Sequence, residues 1–174
     1  MSQANYDHVL GLRATRNFQD KPLADDDLDA VLEAARWTGS AKNVQGWAFV
    51  VVEGDDLSAL AEAGSYTTPI TNSAATIALI RTPEGIDFDI GRVAQNIMLG
   101  AAAIGVASCP ITLHDEEVAH KVLGLPEGFH CRYAVALGYP DQPKEEAGRA
   151  KMRTGGWGGR KSRQDIVHKG RFGS

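Results

Sequence analysis

The sequence of 174 residues predicts an α+β fold in one domain. Three observations carry this. Helical patterns alternate with short, largely apolar strand-like runs along the whole chain. The first of those strands runs into Gly54-Asp55-Asp56, which lacks the glycine turn that a doubly wound nucleotide-binding sheet needs. The length itself suits a single domain, since domains commonly run to about 100–200 residues.

In chain order, Asn5 to Leu12 is a short helix. Asp25 is expected to cap a stronger one, because Leu28, Val31, Leu32 and Ala35 fall at i, i+3, i+4 and i+7, with further aspartates in the first turn. Trp47 to Glu53 is an apolar run of strand length, Asp55 to Ala63 a helix, and Thr76 to Arg81 a second strand. From Asp89 to Ile104 the apolar residues spread around most of a helix, which predicts burial on both sides, in a core or against a partner. Gly100 and the alanines beside it would admit another helix closely. A strand (Val106 to Ile111), a helix capped by Asp115 and a strand (Arg132 to Leu137) follow, and the last thirty residues are Gly-rich and basic with no clear period.

Composition narrows the class. Hydrophobic residues make up 43% and charged residues 23%, a globular rather than disordered balance. No apolar run reaches the roughly 18 residues of a membrane helix, and the N-terminal residues lack a secretory pattern, so a cytoplasmic protein with no membrane partner is expected. Cys109 and Cys131, each in an apolar segment, read as buried reduced thiols. Residues 1–143 hold 9 Lys/Arg against 19 Asp/Glu, a balance of −10; residues 144–174 hold 9 against 3, a balance of +6. A basic tail on an acidic body serves nucleic acid, an acidic neighbour or a phosphate, and charge alone does not choose.

Three segments carry chemistry. Arg13-Ala14-Thr15-Arg16 places two guanidinium forks three residues apart at the exit of a short helix, where they suit one phosphate or simply solvent. The loop Thr38 to Trp47 is dense in amides and hydroxyls; Ser40, Ala41, Asn43 and Gln45 suit the edge of a flat heterocycle, or an ordinary Asn turn. Gly155 to Arg163 nearly spells a triphosphate loop, but Arg160 stands where its last glycine belongs. What survives there is a cationic cluster of Arg160, Lys161 and Arg163. His114 and His120 lie six apart, on different helix faces, so no metal is expected, and no nucleophile elbow supports a hydrolase.

Taken together these segments resemble the nitroreductase family. Arg13 to Phe18 is similar to its N-terminal R-[RST]-x-x-R-x-F stretch, Leu32 to Val52 to its E-A-A…P-S-x-x-N-x-Q-P-W block, and Asp89 to Leu99 to its D-x-G-x-A-x-Q-N-x-x-L helix. Gly105 to Ile111, Ala136 to Pro140 and the closing Arg160 to His168 complete the order. Ala14 stands where the family often has Ser, and Gly39 and Gly46 stand where it has Pro, which implies a less rigid loop. A chain this short also implies that a helical excursion over the substrate side is trimmed.

The resemblance implies a mixed central sheet flanked by helices and a homodimer built on a long buried central helix, with FMN at the subunit interface. Residues 144–174 would form a basic extension packing on the partner subunit. Arg13, Ala14, Thr15 and Arg16, with Arg160, Lys161 and Arg163, would hold the phosphate. Ser40, Ala41, Asn43 and Gln45 would line the flavin, and the backbone of Pro110, Ile111 and Thr112 would pass over the ring from the partner subunit. Arg16 would place positive charge near flavin N1 and O2. The activity implied is a ping-pong reduction of a small electron-poor acceptor, a nitroaromatic or quinone, with NADH or NADPH as donor. No catalytic side chain is required, because the flavin carries the chemistry. This explains the basic tail without nucleic acid. Rival readings are a deazaflavin- or flavin-metabolising member of the fold, a flavin-binding module without turnover, and a nucleic-acid binder.

Overall fold

A sheet of four strands, β1 (Trp47–Val52), β2 (Ala75–Arg81), β3 (Ala107–Thr112) and β4 (His130–Gly138), stands in the order β1-β2-β4-β3. The computed structural model describes residues 2–155 and 159–173. The chain divides into two units, Met1–Gln142, which holds this sheet, and Pro143–Ser174. Every neighbouring strand pair is antiparallel. The resemblance implied a mixed sheet; among the described strands no parallel pair exists, since the links β1 to β2 and β3 to β4 each reverse the chain and the non-sequential pair β2 with β4 is antiparallel too. The antiparallel sheet with segregated helices is the α+β class that the sequence predicts.

Alternation along the central strands sorts the core into two layers. Ala78 and Ile80 of β2, with Ala134 and Ala136 of β4, face α3 (Asp56–Ala61), α4 (Thr68–Thr71) and α6 (Glu116–Leu123). Ile77 and Leu79, with Val135 and Leu137, face α2 (Asp25–Arg36) and α5 (Asp87–Ala103). Each large aliphatic side chain so buried contributes on the order of 1.5–3 kcal/mol. Both faces are covered, which is why β2 reads as a continuous apolar run rather than an alternating one.

The helices refine the sequence reading. α2 starts at Asp25, so Ala24 occupies the cap position and no side chain caps it. Tyr139 does that work from the far end of the chain: its hydroxyl accepts from Ala24 N at 3.3 Å and donates to Asp27 at 2.6 Å. The Asp27 carboxylate raises the phenol pKa. Asp115 does cap α6, accepting from Glu117 N and Val118 N. Within this chain α5 buries one stripe, Ile90, Val93, Ile97, Met98 and Ala101, while Gly91, Gln95, Ala102 and Ala103 are exposed. The second buried side expected from its sequence is therefore not provided by the chain itself. Gly100 does admit a close neighbour, since a Cβ there would lie 2.7 Å from that of Ala34 on α2. Among the described residues no helix is long and apolar enough to cross a membrane.

Both cysteines are buried thiols outside any disulfide. Burial, with the Glu116 carboxylate adding to it, pushes the Cys131 thiol from 9.0 up to about 12. The folded chain therefore keeps the proton that the unfolded chain loses first. This contribution is intact below about pH 9 and is lost between about 9 and 12, at up to about 1.4 kcal/mol per pH unit. Cys131→Ala should flatten that part of the alkaline stability curve, read from urea midpoints; an unchanged curve would refute the assignment. The value at neutral pH will fall somewhat through the lost sulfur packing.

Toward the C-terminus, where the sequence shows no clear period, stand α7 (Gln142–Thr154) and α8 (Arg163–Ile166). α7 has few apolar residues to set a stripe; its turn-to-turn support includes the Glu145–Arg149 pair at 3.8 Å. Ser162 and Asp165 form a reciprocal capping box at the start of α8. Gly156, Trp157 and Gly158 of the Gly-rich stretch lie outside the described residues.

Candidate functional site

The segment after α1 (Gln3–Gly11) is stitched to two distant parts of the first unit. Thr15 N donates to Ser108 O at 2.8 Å, at the start of β3. Phe18 pairs with Pro140, Asp141 N donates to Asn17 O, and Gln19 N donates to Tyr139 O. Thr15 and Phe18 are buried, and Phe18 lies on Gly138, where a Cβ would come within 3.0 Å of its ring. Fixed on both sides, Arg16 lines a cleft of about 490 Å³ with Asn17, Tyr66, Thr68, Pro69, Cys109, Pro110, Ile111, Thr112 and His114.

β3 is an edge strand, and its alternation shapes this cleft. Leu113 N donates to Arg132 O on the β4 side at 2.8 Å. Residues of the other parity turn their backbone outward, as Ser108 O does in accepting from Thr15. Pro110 falls at an outward position, where its missing N–H leaves no ladder bond broken. Thr112 falls at the next one, so its N–H is turned to the edge. The result is a ridge of exposed backbone with a guanidinium nearby.

The sequence-predicted residues are only partly gathered. Arg16, Pro110, Ile111 and Thr112 share the one cleft. The resemblance implies that the Pro110–Thr112 backbone passes over the ring from the partner subunit; within one chain this segment lines the same cleft as Arg16. Arg13 turns back and donates to Leu10 O and Leu12 O, each at 2.7 Å, closing the end of α1. Ala14 is half-buried against the core, and Thr15 is buried behind the ridge. Arg160, Lys161 and Arg163 are exposed in the second unit, Arg163 as the first residue of α8. Tyr66 and His114 were missed by the sequence reading. Tyr66, 88% exposed at the cleft mouth, stands alone in the segment Gly64-Ser65-Tyr66-Thr67, and an isolated aromatic in a small-residue loop was the available signal.

Ser40, Ala41, Asn43 and Gln45 form a separate feature, and none of them lines that cleft. Glu33 at the end of α2 binds Arg36 and the indole of Trp37, contacts that lower its carboxyl to about pH 2. Thr38 is buried and accepts from Asn96 of α5 at 2.8 Å. A tight turn over Ala41–Asn43 follows, and Ser40 Oγ accepts from Gln45 N at 2.8 Å. Lys42, Asn43 and Gln45 all have left-handed backbones, with φ of 53°, 55° and 51°. Asn tolerates that conformation, whereas for Lys and Gln it costs roughly 1–2 kcal/mol each. Strain of this kind persists only where the surroundings over-determine it, here through the bonds that Asn43 N, Val44 N and Gln45 N make within the loop. Trp47 ends the loop and begins β1, as the apolar run from Trp47 predicts, and is half-buried against the core.

The model of the nitroreductase family matches residues 10–72 and 62–139. The chain belongs to the nitroreductase family. A relative from Archaeoglobus fulgidus, provisionally named NADH dehydrogenase/NAD(P)H nitroreductase, is 29% identical over 145 residues, covering 76% of this chain and 83% of its own. Among solved structures, nitroreductase A from Vibrio parahaemolyticus superposes with a TM-score of 0.84 at 20% identity, over 100% of this chain and 78% of that one. An FMN-dependent nitroreductase from Clostridium difficile gives 0.75 at 22% identity, over 95% and 98%. At these identities the structures bear on the fold.

Proposed function

We propose that the protein is an FMN-dependent oxidoreductase that uses NADH or NADPH to reduce an electron-poor small molecule, a nitroaromatic or quinone, in a ping-pong cycle. The observation that carries this is the convergence of Arg16 and the Pro110–Thr112 ridge on one cleft in a chain of this family. The cleft fits the cofactor chemically: a guanidinium suits the phosphate or the electron-rich edge of the ring, and a backbone ridge with one outward amide suits a flat face. When bound, FMN supplies the two-electron chemistry, and the chain needs no acid–base residue for it.

The chain's own part is to bind, orient and polarise. Arg16 supplies fixed positive charge and Thr112 N–H an outward donor. Arg160, Lys161 and Arg163 supply further cations for the phosphate, and residues 144–174 reach a partner subunit. The Ser40–Gln45 loop lies outside the cleft, which supports a site completed by the loop of a second copy. The exposed apolar residues Tyr6, Val9, Leu10, Trp37, Val44 and Phe88, with the exposed Gln95, Ala102 and Ala103 of α5, offer the surface for such a homodimer.

The purified protein should be yellow or take up added FMN, and NADH or NADPH should bleach the flavin absorbance without oxygen. Addition of a quinone should restore the colour. Protein that stays flavin-free in excess FMN would end this reading, and bound flavin that neither donor bleaches would leave a binding module.

A further inference from the structure

Two more clefts continue from the ridge. One of about 390 Å³ is lined by Ile90, Gly91, Ala94 and Tyr133 together with the same Pro110–Thr112 segment. The next, about 270 Å³, shares Asp87, Ile90 and Tyr133 with it and adds Arg81, His130 and Arg132. Adjacent clefts thus share side chains, from Arg16 at one end to a pair of arginines at the other. The middle one is mostly apolar; the far one is ionic.

The far arginines are held but not used up. Arg81 Nε pairs with Asp87 at 3.2 Å, and its Nη1 meets Gly85 O at 3.4 Å. Arg132 Nη1 pairs with Glu116 at 3.4 Å, and His130 Nδ1 meets the same carboxylate at 3.4 Å. A guanidinium has five N–H donors, so among the described residues Nη2 of each arginine is uncommitted. The pairs are long and partly exposed, the kind that contributes little and exchanges readily for an incoming oxyanion. A network serving only stability would not need to open on an apolar slot that leads back to the ridge.

We propose that Arg81 and Arg132 form an oxyanion subsite for the second substrate. It takes a carboxylate or phosphate, while the flat apolar part of the same molecule lies in the middle cleft against Tyr133. The substrate class is then a planar ring compound or dinucleotide with an anionic group set away from its reacting end. The position beside a flavin rests on the function proposed above; the oxyanion subsite does not.

The test compares wild type with Arg81→Gln/Arg132→Gln, each loaded with FMN. With NADH as donor, the KM for 4-nitrobenzoate should rise about tenfold or more, while that for neutral 4-nitrobenzamide changes less than about twofold. If the anion is instead the donor's phosphate, the KM for NADPH should rise by that factor while those for NADH and both acceptors hold. Calorimetric titration of the protein with 4-nitrobenzoate and with NADP⁺ reads the subsite without turnover. Loss of either anion's binding in the double variant supports the subsite even if the protein never retains FMN. Equal binding by wild type and variant, binding of neither anion by wild type, or equal KM changes for nitrobenzoate and nitrobenzamide would overturn it. Should the double variant fail to fold, Arg132→Gln alone carries the same comparison, since this side chain is 52% exposed.

Discussion

Gly46→Ala is expected to destabilise the first unit by about 3 kcal/mol. The reason is backbone against backbone. Gly46 is buried, and a Cβ there would lie 2.6 Å from Gly85 N, 3.1 Å from the Glu84 carbonyl carbon, and closer still to Gly85 Cα. No side chain can swing aside to make room. Thr82 N also donates to Gly46 O at 3.2 Å, so separating the two segments strains that bond as well. The stiffening of the unfolded chain by alanine returns only about 0.4–1 kcal/mol. Two controls isolate the cause. At Gly39 an added Cβ would meet only the tip of Arg92 at 3.2 Å, and at Gly11 it would meet nothing, so both alanine variants should fall within about 1 kcal/mol of wild type. Urea midpoints at constant slope measure all three. A Gly46→Ala protein as stable as Gly11→Ala would show that the two segments do not meet as described. The variant should also bind FMN more weakly, because the strained Ser40–Gln45 loop hangs on this joint.

That joint requires a residue without a Cβ at position 46: the missing atom admits Gly85, a contact about forty residues away that no local pattern announces. Other features divide along the same line. Apolar runs bounded by polar residues made all four strands readable, and a regular stripe made α2 readable. Strand order was not, since β2 pairs with β4 between residues as far apart in the chain as Ala75 and Leu137. α4 and α8, four residues each, are too short for a period, and α7 has too few apolar residues to show one. In the site, residue type pointed to Arg16 and Arg13 equally. Only the stitching of Thr15 to Ser108 and of Phe18 to Pro140 separates the arginine that lines the cleft from the one that closes a helix. The left-handed backbones of Lys42 and Gln45 were invisible for a simpler reason: neither residue type favours them.

Arg16→Ala is expected to weaken FMN binding by roughly 10- to 100-fold, the loss of a charge-assisted hydrogen bond worth about 1.5–3 kcal/mol. Stability without ligand should hardly change, because Arg16 is exposed and its backbone is fixed by its neighbours. The two effects therefore separate in one experiment. Excess FMN at about 100 times Kd adds about 2.7 kcal/mol to a protein that binds it, and the same concentration should add far less to the variant. Arg16→Lys should recover part of the affinity, since it restores the charge without the fork. Arg13→Ala should cost much less, because its guanidinium serves the Leu10 and Leu12 carbonyls. The second unit enters through a double-mutant cycle. If Arg163 contributes to the same phosphate, Arg163→Ala and Arg16→Ala will be non-additive by 0.5 kcal/mol or more, since partners on one group couple. Additive losses would mean that the two cations bind different parts of the ligand. An unchanged FMN Kd in Arg16→Ala would remove the cleft from the cofactor's site altogether, and the ridge of Pro110–Thr112 with it.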